Sequence, residues 1–522
     1  MSQRPLSVAV VDAAGASACD ADAIASGIPS RALMQRAGAA AAAEIASRCA
    51  DRLDAGVVVA TGPGNNGGDG WVVAHALHAA GVRVRVVECA PALTADARAE
   101  REQARAAGVH ATNRIDDLLS GGESIVVDAL LGTGLSGDGS LRGDIALAVE
   151  KLHSLANRGA TLVALDVPTG LVASTGRSAG GLHCALTITF GTIKRGHLVA
   201  REACGTIVVV DIGLGAHTRA AVERMVLASA SWFAASLPRI SADAHKGTRK
   251  KIAIVGGATG MAGAAVLATR AALRSGAGLV RCVVAPASLP AIQESEPAAL
   301  GATWPENDVE LTALADWADA MLIGPGLGSG ARELVTRLLS AWNGPVVLDA
   351  DALNAFAGDT AALRLLVEGR AALLTPHPAE FGRLATLDVD AVLTGRFDLP
   401  SLLADDTGAA VLLKGVPTVV AAPGRATEVV AEGTPVLATG GAGDLLGGIA
   451  ATLLAQTGDA ALAGALAAFA HGRAAAAVSA SQVRGYTLDD VVSALPSVWA
   501  LDAEPPRPPV LAELPPVGEH SR

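Results

Sequence analysis

Two successive layered α/β domains are predicted for this chain, on three observations. Short apolar runs bounded by Gly, Pro or Asp alternate with longer Ala-rich stretches along most of the 522 residues. The alternation stops between about residues 216 and 247, a segment expected to hold no strand, and ends in the polar run Asp243 to Lys251. It then restarts and continues towards residue 500.

In the first half, Val57–Ala60, Val82–Val87, Ser124–Val127, Thr161–Leu165 and Ile207–Val210 read as buried strands, with helical stretches such as Arg31–Arg48 and Trp71–Ala80. In the second half the strands are Lys251–Val255, Leu279–Val284, Ala320–Ile323, Pro345–Leu348, Ala371–Leu374, Ala410–Leu413 and Thr418–Ala421. Domains over residues 1–220 and 221–502 follow. The Pro- and Glu-rich tail, 503–522, is expected to be disordered.

Composition narrows the class. Hydrophobic residues make up 51% and charged residues 17%, which excludes a disordered chain. The mean hydropathy of +0.41 comes largely from alanine and 59 glycines. No apolar run reaches the roughly eighteen residues of a membrane span, and no signal-peptide pattern opens the chain. A cytoplasmic protein without a membrane partner is expected. The net charge of −11 argues against nucleic acid. Six scattered cysteines form no CxxC pair and read as small buried residues.

The run Ala60-Thr61-Gly62-Pro63-Gly64-Asn65-Asn66-Gly67-Gly68-Asp69-Gly70 follows a strand and opens a helix. Gly62, Gly64 and Gly67 match G-x-G-x-x-G, and Glu88 stands where a dinucleotide fold places its ribose-binding acid. A dehydrogenase is nonetheless disfavoured. Pyrophosphate needs bare N–H groups at a helix N-terminus, and Asn65, Asn66 and Asp69 crowd that position with oxygens. Such oxygens suit a hard cation or ligand hydroxyls. The plain alternative is a tight turn with Asp69 as a helix cap. Two further strands end in acids, Asp128 before Gly132-Thr133-Gly134-Leu135-Ser136-Gly137-Asp138, and Asp166 before Val167-Pro168-Thr169-Gly170. Ligands bind beyond the carboxyl ends of parallel strands, so Asn66, Asp128 and Asp166 are expected at one edge.

GPGNNGGDG, VDALLGTG and LDVPTG together resemble the NAD(P)H-hydrate epimerase family over about residues 8–215. The resemblance implies a Rossmann-like fold. It also implies that Asn65, Asn66, Gly67, Gly68, Asp69, Gly132 to Asp138 and Asp166 contact the hydrated cofactor, and that Asn66, Asp128 and Thr169 hold potassium. The family usually has serine at Thr169. Asp166 is the candidate acid–base group, and Lys194 is a second candidate polar residue.

The second half has no P-loop. It carries Thr439-Gly440-Gly441-Ala442-Gly443-Asp444 leading into an apolar helix. Small residues let backbone N–H groups converge on a phosphate, where the helix dipole favours negative charge. Asp444 in the first turn is placed to take a proton from an attacking hydroxyl. Lys414, in Lys414-Gly415-Val416-Pro417-Thr418, and His377, in Thr375-Pro376-His377-Pro378-Ala379-Glu380, follow strands. So do the acids of Val347-Leu348-Asp349-Ala350-Asp351-Ala352-Leu353-Asn354 and the turn Gly324-Pro325-Gly326-Leu327-Gly328.

With Gly276-Ala277-Gly278-Leu279-Val280, these segments resemble the ribokinase-like fold and, more closely, the ADP-dependent NAD(P)H-hydrate dehydratase family, over about residues 240–498. Ala379 departs from the family's HPGE. The resemblance implies that Lys414 to Thr418 and Gly443 bind the adenine nucleotide, and that Ala264, Gly326, His377 and Asp444 face the hydrate. Joined, the two resemblances imply a bifunctional enzyme. It would epimerise hydrated NADH or NADPH and dehydrate the S form with ADP, giving AMP and phosphate. Potassium in the first domain, magnesium with the nucleotide and a homo-oligomer are expected. The rival reading is a small-molecule kinase with an N-terminal binding domain.

Overall fold

The computed structural model describes residues 7–480, 484–500, 503 and 505–517. The chain divides into two compact units. Of the described residues, 7–227 and 505–517 form one, and those from 228 to 503 form the other.

The first unit is built on parallel strands β1 (Val57–Thr61), β2 (Val84–Glu88), β3 (His110–Thr112), β4 (Ile125–Ala129), β5 (Thr161–Leu165), β6 (Leu186–Phe190) and β7 (Thr206–Val210). They lie in the order β7-β6-β5-β4-β1-β2-β3. From β1 the chain winds outward to β3, then returns to the other side of β1 as β4 and winds outward again. The direction therefore reverses between β1 and β4, where an open α/β sheet leaves a crevice. Helices cover both faces, which is why β1 and β4 are fully buried apolar runs without alternation.

In the second unit, β8 (Lys251–Val255), β9 (Leu279–Val284), β10 (Leu300–Thr303), β11 (Ala320–Ile323), β12 (Val346–Leu348), β13 (Ala372–Leu374) and β14 (Ala410–Leu413) are parallel. β15 (Thr418–Ala421) and β16 (Thr427–Val430) follow as antiparallel strands. The order β16-β15-β14-β13-β12-β11-β8-β9-β10 puts the reversal between β8 and β11. The long helices Ala442–Thr457 and Ala460–Ser479 are apolar almost all round and pack in the core. The latter is long and apolar enough to cross a membrane, but it is mostly buried within this unit.

Three expectations are corrected. The tail after residue 503 is not all disordered. Val510–Leu514 pairs antiparallel with β7, because Val510, Ala512 and Leu514 alternate inward and Glu513 meets Arg48 at 2.7 Å. The stretch 216–247 contains a short strand, Met225–Leu227, a three-residue apolar run too brief for periodicity to reveal. The helix after β1 starts at Asn65, not near Trp71, so the second half of the glycine run is already helical.

Candidate active sites

In the first unit the glycines of Gly62–Gly70 serve close approach. None has a left-handed backbone. A Cβ on Gly62 would lie 1.8 Å from the Leu130 carbonyl oxygen, and one on Gly67 2.1 Å from that of Gly62. Gly68 backs onto Met34, and Gly70 onto Ala129. The two glycine segments are thereby pressed together across the β1/β4 reversal. Beside them lies a cavity of about 480 Å³ lined by Asn65, Asn66, Asp69, Gly132 to Leu135, Asp166 and Lys194, among others. Gly67, Gly68, Ser136, Gly137 and Asp138 do not line it.

Asp69 does not cap the helix. It is the fifth helical residue, is buried, and faces the cavity. Burial, then the Asp166 and Asp20 charges, push its carboxyl well above the usual range. Asp166 behaves oppositely. Burial pushes it up, but the Lys194 ammonium outweighs that and holds its carboxyl below the ordinary value. Lys194, 2% exposed, donates to Asp166 and to Thr189 Oγ1 (2.7 Å), and Thr189 donates to Asp166 Oδ1 (3.1 Å). Asp166 has φ +60°, and the Val167 N–H donates to the Leu165 carbonyl across it (2.8 Å). Such a strained γ-turn persists only where its surroundings enforce it. Asp20, on helix Ala13–Ala25, completes the acidic lining; it and Asp22 stand in an Ala-rich helix with no motif around them to mark a site.

Asp128 is fully buried. It accepts from Thr169 N and Thr169 Oγ1, both at 2.8 Å, and from Leu130 N at 3.2 Å. Burial pushes its carboxyl up to about 6. Neither amide atom of the buried Asn66 side chain has a hydrogen-bond partner, although burial normally requires one. Asn66 offers an orphaned amide oxygen, Asp128 a carboxylate and Thr169 a hydroxyl, oxygen donors of the kind a hard cation takes, so the chemistry of these residues fits potassium. Glu88, by contrast, pairs with Arg101 at 2.8 Å and Arg105 at 3.4 Å and does not line the cavity. No ribose-binding role is left for it.

In the second unit five neighbouring strand ends converge. Gly326 follows β11; a Cβ there would lie 3.2 Å from that of Ala264, on the helix after β8. Asp349 follows β12 and is 1% exposed. His377 follows β13 and caps helix Pro378–Ala385: its Nδ1 accepts from Ala379 N at 3.1 Å, while buried Glu380 accepts from His377 N at 2.9 Å. That reciprocal cap, with His in place of Ser or Thr, was hidden by its unusual first residue. The imidazole Nε2 stands 3.4 Å from Glu380 Oε1, so the same carboxylate holds both the backbone N–H and the ring of His377. Burial and the Lys414 charge hold His377 below its ordinary pKa.

Lys414 follows β14, and Asp349 Oδ1 accepts from its Nζ at 2.6 Å. Burial disfavours the ammonium, but Asp349 and Glu380 outweigh it and raise the Lys414 pKa. Gly441, with φ +95°, turns the chain into helix Ala442–Thr457, and Asp444 stands in its first turn. Burial first, then the Asp349 charge, push the Asp444 carboxyl up to about 7. Val416 is exposed, and Thr418 Oγ1 donates to the Gly415 carbonyl at 2.8 Å, shaping an open loop after Lys414. All six cysteines are free and buried.

This is an enzyme architecture, with two doubly wound units each holding ionisable groups at the reversal of its sheet. Residues 30–196 match the family described as YjeF-related protein N-terminus, and residues 252–497 match NAD(P)H-hydrate dehydratase. The bifunctional NAD(P)H-hydrate repair enzyme of Salinibacter ruber is 38% identical over 82% of this chain and 84% of its own length. That of Escherichia coli is 34% identical over 84% of each. The ADP/ATP-dependent NAD(P)H-hydrate dehydratase of Bacillus subtilis aligns in structure over 52% of this chain and 97% of its own, at 28% identity and TM-score 0.47. The chain belongs to the bifunctional NAD(P)H-hydrate repair enzymes, with an epimerase unit followed by a dehydratase unit.

Proposed function

We propose how the residues divide the two reactions. In the dehydratase unit the hydrate's ring hydroxyl attacks the terminal phosphorus of ADP, AMP leaves, and Asp444 takes the hydroxyl proton. The phosphate ester then departs as phosphate, and the neighbouring ring carbon loses a proton to restore the double bond. A hydroxyl is a poor leaving group and a phosphate a good one, which explains a kinase-like site in an elimination. The observation that carries this reading is Asp444, a carboxyl raised to about 7 at the head of a glycine-rich helix beside Lys414. A base poised near neutrality matches the task. Lys414 to Thr418 and Gly443 bind the nucleotide, whose phosphates carry magnesium, and Ala264, Gly326 and His377 face the hydrate.

In the epimerase unit Asp166, held ionised by Lys194 and Thr189, takes the proton of the ring hydroxyl as the bond between that carbon and the ring nitrogen breaks to an aldehyde. The nitrogen gains a proton, and the reverse steps close the ring on the other face. Asn66, Asp128 and Thr169 hold potassium. The ion supplies a fixed positive charge that orients the substrate's oxygens. A stable phosphorylated product, the mark of a plain kinase, is not expected.

The test is purified protein with hydrated NADH, followed at the reduced-nicotinamide absorbance with ADP, ATP or no nucleotide. Asp444→Asn should abolish recovery and leave epimer exchange intact. An Asp444→Asn enzyme that still repairs the hydrate with ADP sinks the assignment. Replacing potassium by lithium should slow epimer exchange alone, and light scattering checks the expected homo-oligomer.

A further inference from the structure

Asp349 takes no part in the proton transfer assigned above, yet it is built into that site from several sides. Its Oδ1 accepts from Lys414 Nζ at 2.6 Å and from Thr375 Oγ1 at 2.9 Å. The ends of three neighbouring strands, β12, β13 and β14, therefore meet on one oxygen. Its Oδ2 faces the glycine helix: a Cβ on Gly443 or on Gly447 would lie 3.8 Å from that atom, and one on Gly443 3.1 Å from Lys414 Nζ. Two glycines one turn apart let the head of the helix settle onto the ion pair. Lys414 also feels the charge of Asp444. Asp349, Glu380 and Asp444 thus all act on one ammonium, and only Asp349 accepts a hydrogen bond from it at 2.6 Å.

We propose that Asp349 is a positioning residue of the dehydratase site: it holds the Lys414 ammonium beneath the glycine turn, towards the nucleotide phosphate and away from Asp444, which stays free to accept a proton. The inference rests on the reading of Asp444 as the base. An ammonium paired with Asp444 would make it a weaker base. The charged groups that face Asp444 are Asp349, Lys414, Asp351 and Glu380. After burial, Asp349 is the largest influence raising the Asp444 carboxyl, and Lys414 opposes it. Asp349→Asn removes the first charge and frees the second, and both changes lower the Asp444 carboxyl.

The experiment is the pH profile of kcat/KM for the S hydrate at saturating ADP, in the full-length enzyme. Asp444 works ionised, so wild-type activity falls as the pH drops through about 7. In Asp349→Asn that acid limb should move down by about one pH unit or more, and the plateau should fall by up to about ten-fold for each unit as the base weakens. Thr375→Val keeps the charge and removes one hydrogen bond, so its limb should stay in place. A loss of packing alone lowers the rate at every pH and moves no limb. An Asp349→Asn limb at the wild-type position overturns the proposal, whatever the rate. Should Asp349→Asn fail to fold, Asp349→Ser removes the same charge and must show the same fall. Asp444→Asn separates the two levels. If it retains ADP-dependent repair, the base assignment fails. If it is inactive while the Asp349 limbs do not move, only the role of Asp349 fails.

Discussion

Gly62→Ala is the sharpest test of how the epimerase site is assembled. The added Cβ would lie 1.8 Å from the Leu130 carbonyl oxygen, 2.6 Å from its carbon and 2.9 Å from its Cα. To reach even 3.0 Å the two backbones must part by about 1.2 Å, still short of an unstrained contact. Gly62 has no room to retreat. Its carbonyl oxygen is where a Cβ on Gly67 would fall, at 2.1 Å, and its N–H donates to the Ala129 carbonyl at 3.0 Å. The strain therefore separates Asn65 and Asn66 from Gly132 to Leu135, which line the cavity from the opposite side. Overpacking of this kind costs about 1–3 kcal/mol. A displacement of about 1 Å among positioning groups costs on the order of a hundred-fold in rate. Pure R hydrate would be supplied and the appearance of S followed by chromatography, with melting measured in parallel. A Gly62→Ala enzyme that epimerises at the wild-type rate with an unchanged melting temperature refutes the reasoning.

Two other perturbations have predictable signs. Ending the chain after residue 503 removes Val510–Leu514, whose Val510 and Leu514 are buried, and bares the edge of β7. The first unit should lose about 3–6 kcal/mol and aggregate with concentration, as melting and light scattering would register. His471 is buried without a partner for Nε2, and burial with the Lys414 charge pulls it down to about 4. Below pH about 6.5 the unfolded chain takes a proton that the folded chain refuses until about 4. Stability should therefore fall across that window, by roughly 3 kcal/mol at most, and His471→Leu should flatten the fall in a pH series of denaturant melts.

The layering, the strand-end acids and the glycine turns were readable because each is local. A buried parallel strand announces itself in five residues, and Asp128, Asp166 and Asp444 stand next to such runs or in a glycine turn. Pairing was not readable. Nothing near Lys194 marks Asp166 as its partner, 28 residues away, and nothing near Lys414 marks Asp349, 65 residues away. Both pairs exist because parallel winding brings distant strand ends side by side. The same limit hid the tail strand: Val510, Ala512 and Leu514 alternate, but only the free edge of β7 gives that alternation a use.

The glycines show where local reading misassigns a cause. The G-x-G-x-x-G match at Gly62 invites a pyrophosphate cradle, which the oxygens of Asn65, Asn66 and Asp69 disfavour, and it leaves the use of the glycines themselves unexplained, since none of them needs a left-handed backbone. Their use appears only when the other side of the sheet reversal is in view. Gly62, after β1, abuts the carbonyl of Leu130, after β4. In the second unit Gly256, after β8, abuts the carbonyl of Pro325, after β11, at 2.1 Å from a notional Cβ. Each unit places a bare Cα against a backbone oxygen at the point where its strand order reverses. A parallel sheet splays its strand ends there, and a site needs groups from both sides within reach of one small molecule. Removing a side chain is the simplest way to close the gap. On this argument the first glycine after the first strand of each unit is a spacing device for the site, and the acids and lysines around it supply the chemistry.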